Sequence, residues 1–389
     1  MEPISLYVHV PFCERRCAYC DFNTFAGLGR LTDAYVKAAS SQIERSPERG
    51  RKVDTIFFGG GTPTFLAPLQ LAKIMEAVRR NFAVEDGAEI TSEANPGSGD
   101  GQRFAAMRRM GFNRISIGVQ SFNDALLRKL GRIHTAEEAR TAFHGARQAG
   151  FANVNLDLMF GLPAQSFQDW CATLEQAVCL GPEHLSVYAL TIEPGTPFHK
   201  AAALGKLDLP DEQLQNDMYE WAIERLERAG YEHYEISNFA LPGFRCRHNL
   251  NYWHNGEYLG FGPGAVSYLK GRRWKTEPDL TRYITKLAMG EDTATEQECL
   301  PPLQALGETL MVGIRLMDGV DLDALGRRFE CDAHRILGDA LFELERAGLV
   351  ERSAGRVHLT RRGLLFADDV ACALVMPDGD AEQRPIGVS

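Results

Sequence analysis

The sequence lacks any long uninterrupted hydrophobic run. Its 389 residues are 44% hydrophobic and 24% charged, a composition typical of globular proteins. No apolar stretch is long enough to span a bilayer, and the first residues lack the basic and then apolar regions of a signal peptide. We therefore expect a cytoplasmic protein with one large domain and one small domain.

An excess of basic charge is also lacking. The formal net charge is -10, which argues against a general attraction to nucleic acid or anionic lipid. Residues 301–389 hold ten Arg, no Lys and fifteen Asp plus Glu, so a DNA-binding role for this part is disfavoured as well.

Cysteine is clustered at only one place. Three of the nine cysteines, Cys13, Cys17 and Cys20, lie within eight residues, and no second cysteine pair follows. In a reducing cytoplasm disulfides are rare. The others are therefore expected to be free or buried thiols: Cys171, Cys179, Cys246, Cys299, Cys331 and Cys372.

The spacing Cys13-x-x-x-Cys17-x-x-Cys20 directly follows the strand-like run Leu6-Tyr-Val-His-Val. Such a loop can place three thiolates around one metal centre. A cubane iron-sulfur cluster normally takes four cysteines, so three ligands would leave one iron open to an exchangeable group. A closed zinc site that also uses His9 is the alternative from these residues, although structural zinc sites usually pair two separated ligand clusters.

Strand-like and helix-like segments then alternate along the chain. We predict helices over Leu31–Glu44, Pro68–Asn81, Gly101–Met110, two within Asp124–Gln148, and Ser166–Leu180. Strands are predicted over Leu6–Val10, Val53–Phe58, Ala88–Pro96, Arg114–Val119, Val154–Met159 and His184–Tyr188. Six strands alternating with helices indicate a parallel sheet, either a barrel-like (β/α) array or an open doubly wound sheet.

Polar residues and glycines recur on or just beyond these strands. Each could be a local hydrogen-bonding device, but their recurrence along successive strands predicts one pocket at the shared rim, where parallel α/β folds bind ligands. The residues are Tyr7, Gly60, Gly61, Glu93, Gln120 and Asp157.

The cysteine loop with Tyr19 and Phe22 resembles that of the radical S-adenosylmethionine (SAM) superfamily. The resemblance implies a partial (β/α)6 TIM-like barrel, a 4Fe-4S cluster on Cys13, Cys17 and Cys20, and SAM on the fourth iron. It also assigns residues around SAM. They are Tyr7, Tyr19, Gly60, Gly61, Thr62, Glu93, Gln120, Arg132 and Asp157, in motifs such as Gly59-Gly-Gly-Thr-Pro63 and Ser92-Glu-Ala-Asn-Pro96.

A connector follows the six strands. Asp211–Ala229 is predicted to be an amphipathic helix, and His248-Asn-Leu-Asn-Tyr-Trp253 comes after it. By physics alone His248 is a partly buried polar residue in an aromatic cluster, although such a histidine could also ligate heme. The segment resembles the signature His-Asn-x-x-Tyr-Trp of the HemW family of heme chaperones, which implies heme binding. Cys246, His248 and Tyr252 are all capable of contacting iron, and attachment could be covalent or not.

The pattern changes again near Pro301. Predicted helices Leu303–Ile314, Asp321–Phe329, Ala333–Ala347 and Thr360–Leu374 surround a hairpin at Leu349–Glu351 and Arg356–Leu359, an order that resembles a winged helix. We predict a radical SAM core over 1–200, a connector extending the barrel over 201–300, and an α+β winged-helix-like domain over 301–389. Residues 377–389 are polar and expected to be loose.

Two functions are consistent with these features. One is a heme chaperone without dehydrogenase activity that passes heme to hemoprotein acceptors, including membrane respiratory proteins. The other resembles oxygen-independent coproporphyrinogen III dehydrogenase, a radical SAM enzyme of heme biosynthesis. That branch has a further cysteine where this chain has Phe22, and a longer arm than the twelve residues before Cys13. These two features and the His248 segment favour the chaperone. The expected partners also include an electron donor and a second copy of the chain in a homodimer.

Overall fold

The computed structural model describes residues 2–97 and 100–374. The strands are β1 Ile4–Val10, β2 Phe12–Cys13, β3 Phe25–Ala26, β4 Lys52–Gly60, β5 Ala83–Ala94, β6 Arg114–Gln120, β7 Val154–Phe160, β8 His184–Ala189, β9 Glu232–Glu235, β10 Asn238–Ala240, β11 Tyr258–Phe261, β12 Val266–Leu269, β13 Arg272–Thr276, β14 Ala294–Cys299, β15 Val320–Asp321, β16 Val350–Ser353 and β17 Arg356–Leu359. The prediction for 377–389 lies outside the described residues.

Helices separate most of these strands. They are α1 Thr32–Glu44, α2 Pro68–Asn81, α3 Asp100–Arg109, α4 Asp124–Leu130, α5 Ala136–Gln148, α6 Phe167–Leu180, α7 Pro197–Ala203, α8 Glu212–Arg228, α9 Arg247–Trp253, α10 Leu280–Met289, α11 Pro302–Gly313, α12 Leu322–Phe329, α13 Ala333–Arg346 and α14 Ala367–Leu374. None in the described part of the chain is long and apolar enough to cross a membrane.

The six predicted strands are β1, β4, β5, β6, β7 and β8, and they are neighbours in that same order, all parallel. A doubly wound sheet would reverse its strand order at a switch point. The uninterrupted order here is that of a partial (β/α)6 barrel, so of the two predicted architectures the barrel is confirmed.

Segments that follow the core extend the sheet at both edges. Beyond β8 come β10 and β9, both antiparallel. Beyond β1 comes β11, which is parallel to it, and then the antiparallel β12, β13 and β14. The pattern of residues 230–299 did not predict these strands, because they are short and their side chains do not alternate regularly.

The C-terminal part has the predicted winged-helix-like order. Helix α11 precedes β15, helices α12 and α13 follow it, and β15 then joins the later hairpin in a three-stranded antiparallel sheet of order β15-β17-β16. The prediction of one helix over Thr360–Leu374 is wrong, because the structure has a 3-10 turn at Gly363–Phe366 followed by α14. The Thr360 amide donates to the Leu349 carbonyl oxygen at 3.0 Å. Because this contact holds Thr360 at the edge of the hairpin, the α-helix begins only at Ala367.

Candidate functional site

The cysteine loop lies at the carboxyl end of the barrel. It begins at Cys13, the last residue of β2, and returns through β3, which pairs with β2 in parallel. Two hydrogen bonds hold its centre: the Ala18 amide donates to the Leu130 carbonyl at 2.9 Å, and the Ala18 carbonyl accepts from the Phe198 amide at 3.0 Å. The loop is therefore anchored to the barrel helices α4 and α7.

The glycines after β4 let the chain pass close beneath this loop. Gly60 has a φ of +107°, and a Cβ there would lie 2.4 Å from the His9 ring. A Cβ on Gly61 would lie 2.6 Å from the Phe12 carbonyl oxygen. Both positions require glycine, and the close approach brings the next residue, Thr62, to the first cysteine.

A cavity of about 310 Å³ opens between the loop and the strand ends. Ten of the predicted site residues line it, which agrees with the convergence expected at the rim of a parallel barrel. They are Cys13, Cys17, Tyr19, Cys20, Gly60, Gly61, Glu93, Gln120, Arg132 and Asp157. Thr62 lines an adjoining cavity of about 480 Å³, to which Cys17 and Arg132 also contribute.

Polar contacts connect two cysteines to the barrel. The Thr62 hydroxyl is 3.6 Å from the Cys13 Sγ, and the Arg132 Nη1 is 3.6 Å from the Cys17 Sγ. Asn95 joins these two residues, since its Nδ2 donates to the Thr62 Oγ1 and its Oδ1 accepts from the Arg132 Nη2, both at 2.7 Å. The Arg132 guanidinium therefore lies beside Cys17, and some of its N–H groups already donate to protein atoms.

Two carboxyl groups, of Glu93 and Asp157, line the same cavity and interact electrostatically. Burial and the neighbouring Asp157 raise the pKa of Glu93 to about 8. The pKa of Asp157 is also raised by burial, while hydrogen bonds from Ser116 and Asn155 oppose the shift. A buried acid pair of this kind favours a cationic ligand, which would stabilise both ionised forms.

Gln120 has a left-handed backbone. Its φ is +65° at the carboxyl end of β6, where the pairing with β7 shifts register between Gly118 and Gln120. A non-glycine residue in this region is strained, and such strain clusters at ligand sites. The twist turns the Gln120 side chain into the cavity lining.

All three loop cysteines are free thiols, with Cys13 buried and the other two half-buried. Burial raises the pKa of Cys13 and of Cys20, and the charge of Cys17 adds to both shifts. The three thiols therefore lie close enough to interact. Within 2–97 and 100–374 no three His, Cys, Asp or Glu side chains converge on a single metal ion. In a cubane cluster each cysteine binds a different iron, and three free thiols on one loop that line the same cavity are the donor set such a cluster takes.

The two tyrosines of the predicted site differ in position. Tyr19 lines the cavity and packs beside the apolar cluster around Leu130 and Met159. Tyr7 lies outside the cavity lining, and its hydroxyl is 3.0 Å from the His9 Nδ1. The His9 Nε2 in turn is 2.9 Å from the Asn23 carbonyl oxygen in the cysteine loop. Tyr7 thus supports the loop through His9.

His248 is not brought to this cavity. It lies on α9, is 1% exposed, and stacks on Phe57 with ring centroids 5.1 Å apart. Its Nδ1 is 2.8 Å from the Thr55 Oγ1 and its Nε2 is 3.0 Å from the Tyr252 hydroxyl. Burial lowers its pKa to about 3. Both ring nitrogens are occupied, so in this conformation His248 does not fit as a ligand of heme iron.

Sequence reasoning missed several residues of the site. Asn95, which joins Thr62 to Arg132, is one of them, and its place two residues after Glu93, on the same face of the chain, is the available signal. Tyr188 and Met159 also line the cavity, and their positions near the carboxyl ends of β8 and β7 could have indicated this.

Comparison with known proteins agrees with this geometry. Residues 7–177 match the radical SAM superfamily, and residues 300–366 match the HemN C-terminal domain. A solved structure of Escherichia coli coproporphyrinogen III oxidase (HemN), described as a radical SAM enzyme, superposes with a TM-score of 0.85 at 26% identity, covering 96% of this chain and 90% of that one. The barrel and its three-cysteine loop define a radical SAM protein.

Curated relatives narrow this class. The heme chaperone HemW of Bacillus subtilis is 36% identical over 369 residues, which is 94% of this chain and 97% of that protein. HemW of Escherichia coli is 44% identical over 282 residues, 71% and 74% of the two chains. Mouse mitochondrial radical S-adenosyl methionine domain-containing protein 1 is 38% identical over 331 residues, 81% and 74% of the two chains. The chain belongs to the HemW family.

Proposed function

We propose that this protein is a cytoplasmic heme chaperone that binds heme and passes it to hemoprotein acceptors. The observation that carries the proposal is the similarity to HemW of Bacillus subtilis over 94% of the chain. The single loop of three cysteines, with the exposed Phe22 beside them, agrees with it. We further propose the division into a core of 1–200, a connector of 201–300 and a C-terminal domain of 301–389.

Cys13, Cys17 and Cys20 would hold a 4Fe-4S cluster, and the cavity beside them would hold SAM. When bound, this pair supplies one-electron chemistry, which requires an external electron donor. Arg132 offers a guanidinium to a carboxylate, Glu93 accepts from an ammonium, and Asp157 accepts from ribose hydroxyls. Gly60, Gly61, Thr62, Gln120, Tyr7 and Tyr19 complete the proposed SAM site.

Heme would be the cargo, with respiratory hemoproteins at the membrane as acceptors and a homodimer as the proposed assembly. Contact between heme and His248 remains a prediction. Because α9 is seated inside the barrel, that contact requires the helix to leave its position. Heme binding at another surface of the protein needs no such movement. Replacement of His248 should weaken heme binding in the first case and leave it unchanged in the second.

The test is a titration of anaerobically reconstituted protein with heme, followed by the visible spectrum. Stoichiometric binding with no porphyrin product from coproporphyrinogen III and SAM is the expected result. In His248→Ala we expect weaker heme binding, and an unfolding curve must accompany it because the variant removes two buried hydrogen bonds. A matched variant, His233→Ala, also removes a histidine stacked on a phenylalanine, since His233 lies on Phe239 with ring centroids 4.3 Å apart and its Nε2 is 3.2 Å from the Ile236 carbonyl oxygen. It lies outside α9 and the cavity and should bind heme normally.

The alternative function is oxygen-independent coproporphyrinogen III dehydrogenase. The likeness to the HemN structure over 96% of the chain supports keeping it as the second candidate. Turnover of coproporphyrinogen III without heme binding would establish it and would contradict the chaperone proposal.

A further inference from the structure

A chain of buried hydrogen bonds runs from the amino end of α9 to Asp157 in the cavity. The Cys246 amide donates to the Tyr234 hydroxyl at 3.3 Å, and that hydroxyl is 2.8 Å from the His184 Nε2. The His184 Nδ1 is 2.6 Å from the Asn155 Oδ1, and the Asn155 Nδ2 donates to the Asp157 Oδ1 at 2.8 Å. Tyr234 and His184 are 0% exposed and Asn155 is 1% exposed.

Every donor in this chain points in one direction. The Cys246 N–H can only donate, so the Tyr234 hydroxyl accepts from it, and the His184 Nε2 is the acceptor within reach of the hydroxyl's own proton. Burial and the nearby Arg114 hold the pKa of His184 well below its usual value, so the imidazole is neutral. A neutral ring that accepts at Nε2 donates at Nδ1.

The orientation of Asn155 follows from that tautomer. Its Oδ1 accepts from the His184 Nδ1 and from the Ser186 hydroxyl at 3.2 Å. Its Nδ2 donates to the Ser116 Oγ at 2.7 Å as well as to Asp157. The opposite orientation would place the amide oxygen against the carboxylate, which is repulsive.

At the end of this series of hydrogen bonds, the Asp157 carboxylate accepts two hydrogen bonds. Asn155 donates to one carboxylate oxygen, and the Ser116 hydroxyl donates to the other at 2.9 Å. Both bonds favour the ionised form and fix the plane of the carboxylate at the cavity. Asp157 is therefore aligned from behind before any ligand arrives, which reduces the ordering that binding would otherwise require.

We propose that Tyr234, His184 and Asn155 are positioning residues for Asp157, and that they connect the seat of α9 to the proposed SAM site. This inference rests on the proposed function, because it assigns Asp157 to SAM. Its consequence is that a change at the amino end of α9 alters SAM affinity through the tautomer of His184, without any contact between α9 and SAM.

The test compares two tyrosines that each donate one buried hydrogen bond. Tyr234→Phe breaks the chain, whereas Tyr231→Phe removes the bond from the Tyr231 hydroxyl to the Pro182 carbonyl, 2.6 Å long and outside the chain. SAM dissociation constants are measured by calorimetry on protein of equal iron content, with unfolding curves for each variant. We expect Tyr234→Phe to weaken SAM binding by about three- to tenfold, and Tyr231→Phe to leave it unchanged.

A double-mutant cycle assigns the effect to Asp157. In an Asp157→Ala background, Tyr234→Phe should have no further effect on SAM affinity. An equal loss in both tyrosine variants, or a Tyr234→Phe effect that persists without Asp157, would overturn the inference.

A second measurement does not depend on SAM. Nitrogen-15 chemical shifts of His184 should show the Nδ1–H tautomer in the wild type and a mixture of tautomers in Tyr234→Phe. If the wild-type protein does not bind SAM, the proposed cofactor site fails, and the tautomer alone then decides whether the hydrogen-bonded chain exists. An Nε2–H tautomer in the wild type would disprove it.

Discussion

The two ends of the barrel contain similar polar residues with opposite uses. Glu89 and Glu93 lie on β5 four residues apart, and alternation along a strand places both on the same face. At the amino end Glu89 accepts from the Arg247 amide and the His248 amide, both at 3.1 Å. At the carboxyl end Glu93 accepts one bond from the Gly60 amide at 3.0 Å and faces the cavity.

Helix α9 accounts for the difference. It closes the amino end, where Thr55 pairs with Glu89 and Ser5 across the sheet. Arg328 of the C-terminal part holds the far end of this helix through the carbonyls of His254 and Asn255, at 3.0 and 2.8 Å. The lesson is that a buried polar residue indicates a ligand site only where its bonds are not already filled by the chain itself.

The largest expected effect is at the open end. Cys17→Ser should lose the cluster, because two thiolates do not hold a cubane. Iron and sulfide content after anaerobic reconstitution measures this, with Cys171→Ser on α6 as the control that keeps its iron. A Cys17→Ser protein with the full complement of iron and sulfide would refute the assignment of the site.

At the closed end, Glu89→Gln should mainly cost stability. In the variant an amide NH2 group replaces one carboxylate oxygen, so one of the two backbone N–H groups at the start of α9 loses its acceptor. The negative charge near the buried Arg114 is also lost. We therefore expect the free energy of unfolding to fall by about 2–4 kcal/mol. Urea unfolding measures it. Glu85, on the same strand, is half-exposed and pairs only with the exposed Lys52 at 3.6 Å. Glu85→Gln should therefore change stability by less than about 0.5 kcal/mol, and equal losses would remove the contrast between the two positions.

Glu93→Gln should show the reverse pattern. Its folded-state stability should stay the same or rise at alkaline pH, because the ionised carboxylate is desolvated beside Asp157. SAM affinity should fall by about tenfold or more, since a charge-assisted bond to the ligand is lost. Calorimetry with SAM and a parallel urea curve test both parts, and a variant as unstable as Glu89→Gln that still binds SAM would contradict the comparison.

The smallest effect is a pH dependence. With a pKa of about 8, Glu93 is mostly protonated at pH 7, so binding of an ammonium must release that proton. SAM affinity should therefore rise with pH up to about 8, by at most about tenfold per pH unit, and then level off. In Glu93→Gln only the ligand's own titration should remain, and an identical pH profile in both proteins would exclude this role for Glu93.

Much of the core was predictable from the sequence. The helix bounds at Pro68–Asn81 agree with the structure residue for residue, because proline starts the helix and its apolar spacing is regular. Five of the six predicted strand-end residues line one cavity, Tyr7 being the exception, since all six parallel strands end on one side of the barrel. The cysteine spacing, the glycine run and the two acids are local patterns that need no partner to be recognised.

Tertiary structure alone decided which polar residues are available. His248 and Glu93 look alike in the sequence as polar residues in apolar surroundings, yet one fills its bonds with Thr55 and Tyr252 while the other faces a cavity. Those partners lie up to 193 residues away, and long-range pairing of this kind leaves no local pattern. The same holds for the chain from Cys246 to Asp157, which exists only because four distant segments meet inside the barrel.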